Sequence, residues 1–178
     1  IDSDAIVKGL LRGIPKRYPR LAPGELGYDA DLKTYSYNPA LAKKLLTEAG
    51  HPNGLQLDMS YWAGTYQGGR ETAEAVTLYL KAVGIDAKLQ GLDSGQIMET
   101  VRKSRTDESV RQIFVSAMPM ANMDPIEALS AAYYSRSPFS VYRNADFDKQ
   151  YELAASEPDS EKRAGYIKAA VQIMHDDV

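Results

Sequence analysis

Apolar and polar residues alternate over 55–61: Leu55, Leu57, Met59 and Tyr61 interleave with Gln56, Asp58 and Ser60. This is the period of a strand with one wet face. The same period returns where Ile85, Ala87 and Leu89 face Asp86, Lys88 and Gln90. Between these two runs the spacing changes to three and four. Val76, Tyr79, Leu80 and Val83 predict a helix that starts after Gly68-Gly69 and stops at Gly84. Upstream, YNPALAKKLLTEAGHPNG (37–54) predicts a helix with Asn38 as its cap and Pro39 at its first position. Leu41, Leu45, Leu46 and Ala49 form its expected buried stripe, Gly50 its left-handed stop, and Asn53-Gly54 the following turn.

The remaining pattern extends this alternation. Residues 3–12 read as a helix capped by Ser3, with Ile6, Val7 and Leu10 on one face. Periodicity then vanishes over 13–36, where Pro15, Pro19, Pro23, Gly24 and Gly27 mark an irregular extended segment. A third helix is predicted over 94–104, burying Ile97, Met98 and Val101. A strand over 112–117 is apolar on both faces and is therefore expected at the centre of the sheet. A helix from Pro125 buries Ile126, Leu129 and Tyr133. Two closing helices carry Phe147, Tyr151 and Ala154, then Ala164, Ile167, Val171 and Met174 behind an Asp159 cap. Strands alternating with helices define an α/β class with a parallel or mixed sheet flanked by helices.

Composition narrows the function. At 178 residues, 44% of them hydrophobic, the chain fits one domain with a real core. A net charge of −3 argues against a nucleic-acid surface. The basic cluster Arg102-Lys103-Ser104-Arg105 meets Asp107 and Glu108 at once and reads as a solvated helix end. With no cysteine, disulfides, zinc-thiolate sites and thiol catalysis are excluded. His51 and His175, the only histidines, lack metal-ligand spacing, so neither a metal nor a cofactor is expected. No apolar run approaches the ~18 residues of a membrane span. The opening IDSDAIVKGLL, without Met or a leader pattern, reads as a mature or excised fragment.

Two loops at strand ends carry candidate chemistry, because that edge is where α/β proteins hold ligands. SYWAGTYQGGRET (60–72) offers Trp62 and Tyr66 as aromatic faces and Arg70 at a helix entry suited to an anion. Tyr61 continues the strand alternation and is assigned to the core. The glycine pair makes no phosphate loop. SAMPMANMDP (116–125) has no charged side chain before Asp124, which sits where a helix cap belongs. Tyr133 is explained as core, while Tyr134 is left open between cleft and surface.

YNPALAKKLLTEAGHPNGLQLDM, AEAVTLYLKAVGIDAKLQ, MDPIEAL and NADFDKQYELAASEPDSEKRAGYIKAAVQIMHDD, in this order and spacing, resemble the extracellular solute-binding proteins of the dipeptide/oligopeptide group (family 5) that serve ABC importers. The resemblance runs over nearly the whole chain, and IDSDAIVKGLL is similar to the helix that opens the family's C-terminal lobe. It implies a periplasmic-binding-protein type II-like lobe, a mixed sheet flanked by helices, spanning 1–178 as one half of a two-lobe clamshell. It further implies an interlobe cleft for solute, a membrane permease as partner, a precursor with a signal peptide, and a periplasmic or lipid-anchored extracellular monomer. Peptide-binding relatives carry Trp-x-x-Asp-Tyr-x-Asp-Pro at the second loop, whose first Asp holds the peptide ammonium. Aligned on Asp124-Pro125, that Asp becomes Ala121, the Tyr becomes Asn122 and the Trp becomes Met118. The departure implies a ligand without an ammonium at this point, met by Met118, Met120 and Asn122 as a soft wall with one amide.

The expected function is therefore binding of a small solute, such as a peptide or peptide-like compound, for uptake, with no catalytic residue. A sugar or an opine-like conjugate is the alternative ligand. A hydrolase, or a sensory or chaperone domain, is the alternative use of the same scaffold. The hydrolase lacks a Ser-His-acid arrangement and a carboxylate pair on the candidate loops.

Overall fold

The computed structural model describes residues 1–14, 16–64, 67–107, 112–115 and 124–177. By its internal contacts the chain divides into two compact units. One comprises Ile1–Arg17 and Ser36–Ala117, the other Tyr18–Tyr35 and Met118–Val178.

The first unit holds helices α1 (Ser3–Gly9), α2 (Pro39–Glu48), α3 (Gly69–Ala82) and α4 (Ser94–Thr106), and strands β1 (Leu55–Trp62), β2 (Ile85–Leu92) and β3 (Gln112–Val115). The sheet order is β2-β1-β3 and both pairings are parallel, with Leu55 opposite Ile85, Trp62 opposite Leu92 and Tyr61 opposite Val115. The α/β class read from the sequence holds. The strand expected at the centre, β3, instead lies at an edge of the described sheet, and β1 is the middle strand. Apolar residues on both faces report cover above and below a strand, which is a different matter from having neighbours on both sides. Met59 is fully buried on β1 and packs with Ala73 of α3 and Ala87 of β2. Leu57, Tyr61, Val76, Leu80, Leu89, Ile113 and Val115 surround them, so the odd-numbered strand face rests on α3. Crossovers that run from β1 to β2 and back past β1 to β3 put α3 and α4 on opposite faces if both are right-handed.

Two helices depart from expectation. The cap of α1 is Asp2 rather than Ser3: its carboxylate accepts from the Ala5 N–H at 2.9 Å. The helix ends at Gly9 rather than 12, because Arg12 and Gly13 take left-handed conformations with φ of 55° and 71°. Ile6 is buried, whereas Leu10 is exposed. In α2 the boundaries match, with Asn38 accepting from the Leu41 N–H at 2.9 Å and Gly50 left-handed behind the helix. Its stripe is not buried: Leu41 is 47% and Leu45 53% exposed, and no α2 residue is buried. The pattern identified the apolar face, but Leu41 and Leu45 stay exposed and Leu46 is only half-buried. Caps and the Lys44–Glu48 pair hold the helix locally.

The second unit holds α5 (Ile126–Tyr133), α6 (Ala145–Ser156) and α7 (Ser160–Asp176). Leu129, Phe147, Ala154, Ile167, Ala170, Val171 and Met174 form its core with Leu21 from the irregular segment. That segment is pinned at two more points. Asp29 pairs with Lys168 at 3.1 Å, and Tyr35 stacks on His175 with ring centroids 4.6 Å apart. The Nε2 of His175 lies 3.0 Å from the Lys33 carbonyl. Tyr142 meets Tyr133 and Phe147 edge to face, Tyr133 lies tilted against Phe147, and the Tyr142 hydroxyl donates to Asp177 at 2.7 Å.

Gly54 and Gly84 touch at the amino edge of the sheet: a Cβ on Gly54 would lie 2.0 Å from the Gly84 carbonyl oxygen. Gly54→Ala is expected to cost at least about 2 kcal/mol, since left-handed strain and a backbone clash add. Gly50→Ala meets open space and is expected to cost about 1 kcal/mol from its positive φ alone. Urea midpoints of the two variants test the difference. Burial, then the hydrogen bond to Asp177, pushes the Tyr142 phenol up to about 12 from its ordinary 10. A raised folded-state value stabilises fully below the unfolded value, so this contribution is lost as pH rises from 10 to 12. Tyr142→Phe is expected to flatten the fall of the urea midpoint in that window.

Candidate functional site

Parallel pairing sends the carboxyl ends of β1, β2 and β3 to one edge of the first unit, at Trp62, Leu92 and Val115. The expected candidates distribute around it as follows. Trp62 ends β1 half-buried, and its indole Nε1–H donates to Ser94 Oγ at 2.9 Å. Ser94 opens α4 behind a reciprocal cap in which Asp93 and Gln96 exchange side-chain bonds at 2.9 and 3.0 Å. The turn after β2 therefore fixes the indole. Arg70 lies at the second position of α3, 69% exposed, with its Nε 2.8 Å from Glu74. That hydrogen bond raises its already high pKa. Arg70 is thus engaged along its own helix and at full exposure adds little energy. Tyr66, Met118, Met120 and Asn122 lie outside the described residues.

Core assignments stand for Tyr61 and Tyr133. The Tyr61 ring covers Gly91, where a Cβ would come within 2.6 Å of the phenol oxygen. Tyr134 is half-buried and lines a recess of the second unit, donating to Glu152 at 2.8 Å with its ring 4.4 Å from that of Tyr151. Asp124 precedes Pro125, which is the N-cap of α5 in place of the expected Asp124, and the Asp124 carboxylate accepts from the Ile126 N–H at 3.1 Å. Its other oxygen pairs with Arg163 at 2.6 Å, so the carboxylate is doubly engaged within the second unit. In the basic cluster, Arg102 and Lys103 both pair with Glu99 one turn back.

A cavity of about 470 Å³ that sequence reading missed opens at the entry of α3. Leu10, Leu11, Arg12 and Ile14 line one side, Gln67, Gly68 and Glu71 the other. It lies at the start of α3, the helix that carries Arg70 at its second position. Gly68 takes φ 79° as the N-cap of α3 and supplies no side-chain acceptor. The helix therefore starts with first-turn N–H groups that its own cap does not satisfy. The cavity's chemistry is an apolar floor with one guanidinium, one carboxylate and a helix N-terminus. Its sequence signal was Gly13, which follows Arg12 and is left-handed like it, with φ of 71°. Among the described residues no group of three or more His, Asp and Glu side chains could hold a metal ion. Nor is any described helix long and apolar enough to cross a membrane.

Comparison with known proteins identifies the class. The family model for bacterial extracellular solute-binding proteins, family 5 Middle, matches residues 1–139. The chain belongs to this family. It is similar to the dipeptide-binding protein of Escherichia coli K12, at 28% identity over 99% of this chain and 34% of that protein. It is also similar to the glutathione-binding protein GsiB of the same strain, at 25% identity over 98% of this chain and 35% of that protein. The solved dipeptide-binding protein of Pseudoalteromonas sp. SM9913, in complex with Met-Leu, superposes with a TM-score of 0.81 at 22% identity. That match covers 99% of this chain and 36% of that one. The type II lobe architecture read from the sequence is the architecture of these structures. The chain spans about a third of the length of the curated relatives it matches.

Trp62 is the single tryptophan and so reports on this edge alone. Ser94→Ala is expected to lower the fluorescence anisotropy of Trp62 while shifting the unfolding free energy by less than about 1 kcal/mol. Unchanged anisotropy would show that the hydrogen bond does not hold the indole.

Proposed function

We propose that this chain is the C-terminal lobe of the solute-binding receptor of an ABC importer. It captures a peptide or peptide-like compound without changing its bonds. The observation that carries the reading is the cavity at the α3 entry, with Arg12 and the open helix start. A solute carboxylate pairs with Arg12 and the first-turn N–H groups. Leu10, Leu11 and Ile14 cover its apolar portion, while Trp62 offers its indole at the same carboxyl edge on the α4 side. The relatives' names support a peptide class, since dipeptides and glutathione both present a free carboxylate. The acid that holds a peptide ammonium in peptide-binding relatives is replaced here by Ala121. Glu71 is the carboxylate left at the cavity for a positive group.

Binding is followed by closure of the receptor around its solute, docking on a membrane permease and release. In this reading the receptor works as a monomer outside the cytoplasmic membrane, periplasmic or lipid-anchored, and turns over no substrate. No described residue set offers a nucleophile with its base at the cavity, which favours a receptor over a hydrolase.

The test is a thermal-shift panel on the full-length receptor with Met-Leu, glutathione and their carboxyl-terminal amides, followed by mass analysis of the recovered solute. A true ligand at one hundred times its dissociation constant is expected to add about 2.7 kcal/mol of stability. The amide, and the Arg12→Gln variant with the free acid, are each expected to bind about tenfold more weakly or worse. Trp62→Ala is expected to weaken binding with little change in the ligand-free melting temperature. Equal response to acid and amide would remove Arg12 from the site, and a cleaved solute would replace the receptor by an enzyme.

A further inference from the structure

Among the described residues of the second unit, one arginine has no counter-charge. Arg20, in the irregular segment, lays its guanidinium over the Tyr133 ring with Cζ 5.1 Å from the centroid. Its Nε is buried and has no hydrogen-bond partner. The other arginines of this unit are engaged: Arg136 with Glu152, Arg163 with Asp124, and Arg143 with the carbonyls of Ser140 and Tyr142. Among the described residues, no carboxylate or carbonyl reaches Arg20. Its residue is half-buried, yet only Nε is both buried and unpartnered, so the two terminal nitrogens keep access to solvent.

We propose that Arg20 is a binding site for the carboxylate of a small anion, separate from the cavity of the first unit. The Tyr133 ring supports one face of the guanidinium and holds it flat. Tyr133 is itself fixed by Tyr142 and Phe147, at 5.7 and 5.9 Å. Leu21, the next residue, is buried in the core and anchors the backbone. The fork is therefore held in place before any ligand arrives, and little side-chain entropy remains to be lost. A half-buried cation stacked on an aromatic ring, with one edge open, is completed by a planar oxyanion that accepts two parallel N–H bonds. Carboxylate fits this better than phosphate. A single positive charge balances a single negative one, while a dianion would leave excess charge against a partly desolvated surface. The inference stands on the second unit alone and does not depend on the importer reading.

The experiment observes the arginine Nε–Hε resonances of the full chain by nitrogen-15 NMR while acetate replaces chloride at constant ionic strength. The Arg20 resonance is expected to move saturably, and the Arg136, Arg143 and Arg163 resonances to stay in place. In Arg20→Gln the saturable response of neighbouring signals, Tyr133 included, is expected to weaken at least about tenfold. In Tyr133→Leu, which keeps the charge and removes the platform, it is expected to weaken about threefold or more. Melting curves confirm that both variants fold. If Arg20→Gln does not fold, Arg20→Lys replaces it, keeping charge without the fork, and is also expected to bind more weakly. A linear drift shared by all arginines, or equal responses in wild type and variants, would overturn the proposal. So would an Arg20 shift that follows protein concentration without acetate, which would assign the carboxylate to a second copy of the chain.

Discussion

Parallel pairing of β1 with both neighbours is the constraint from which the rest of the first unit follows. Met59 can be fully buried only if Ala73 and Ala87 are small enough to let α3 lie against β1 and β2. Once β2 and β3 run parallel to β1, their carboxyl ends must share an edge, and every connection back must cross a face of the sheet. The Gly54–Gly84 contact closes the opposite edge, with the Gly84 carbonyl so close that Gly54 has no room for a side chain. One end of the sheet is thereby occupied by turns, while the other gathers the carboxyl ends of the strands at Trp62, Leu92 and Val115.

Charge at the open edge is sparse and mostly committed elsewhere. Arg70 is held by Glu74, and the Asp93 carboxylate is used in capping α4. What remains near the cavity is Arg12, Glu71 and an uncapped helix start. In the reading proposed above, this arrangement serves reversible recognition of a polar end of a solute. In the second unit, ion pairs and stacked rings tie the irregular segment to α7. Arg20 stands apart from that economy as a cation supported by a ring rather than an acid.

Local signals in the sequence were reliable where the cause is local. Asn38, Pro39 and Gly50 bound α2 as their chemistry requires, and Asp159 caps α7 through the Lys162 N–H. The alternation over 55–61 correctly put Met59 and Tyr61 inward. Long-range facts were less legible. The apolar face of α2 was visible in the spacing of Leu41 and Leu45, but spacing carries no information about whether a partner covers it. Strand order likewise depends on crossovers that a two-faced apolar run does not encode, hence the displacement of β3 to an edge. The cavity escaped notice because it joins residues 10–14 to 67–71 through a left-handed Arg12, a conformation that sequence scarcely signals in a residue other than glycine. The Trp62 loop was found from its aromatic residues. Its hydrogen bond to Ser94 became visible only when β2 brought the α4 cap alongside.

The central claim is that solute binds, intact, at the carboxyl edge of the parallel sheet. Hydrogen–deuterium exchange of the full-length receptor, with and without saturating peptide, tests it most directly. The account predicts slowed exchange in segments 10–14, 67–71 and 92–96, with the peptide recovered unchanged. Protection confined to the Gly54 and Gly84 turns, or loss of the peptide during the incubation, would contradict it.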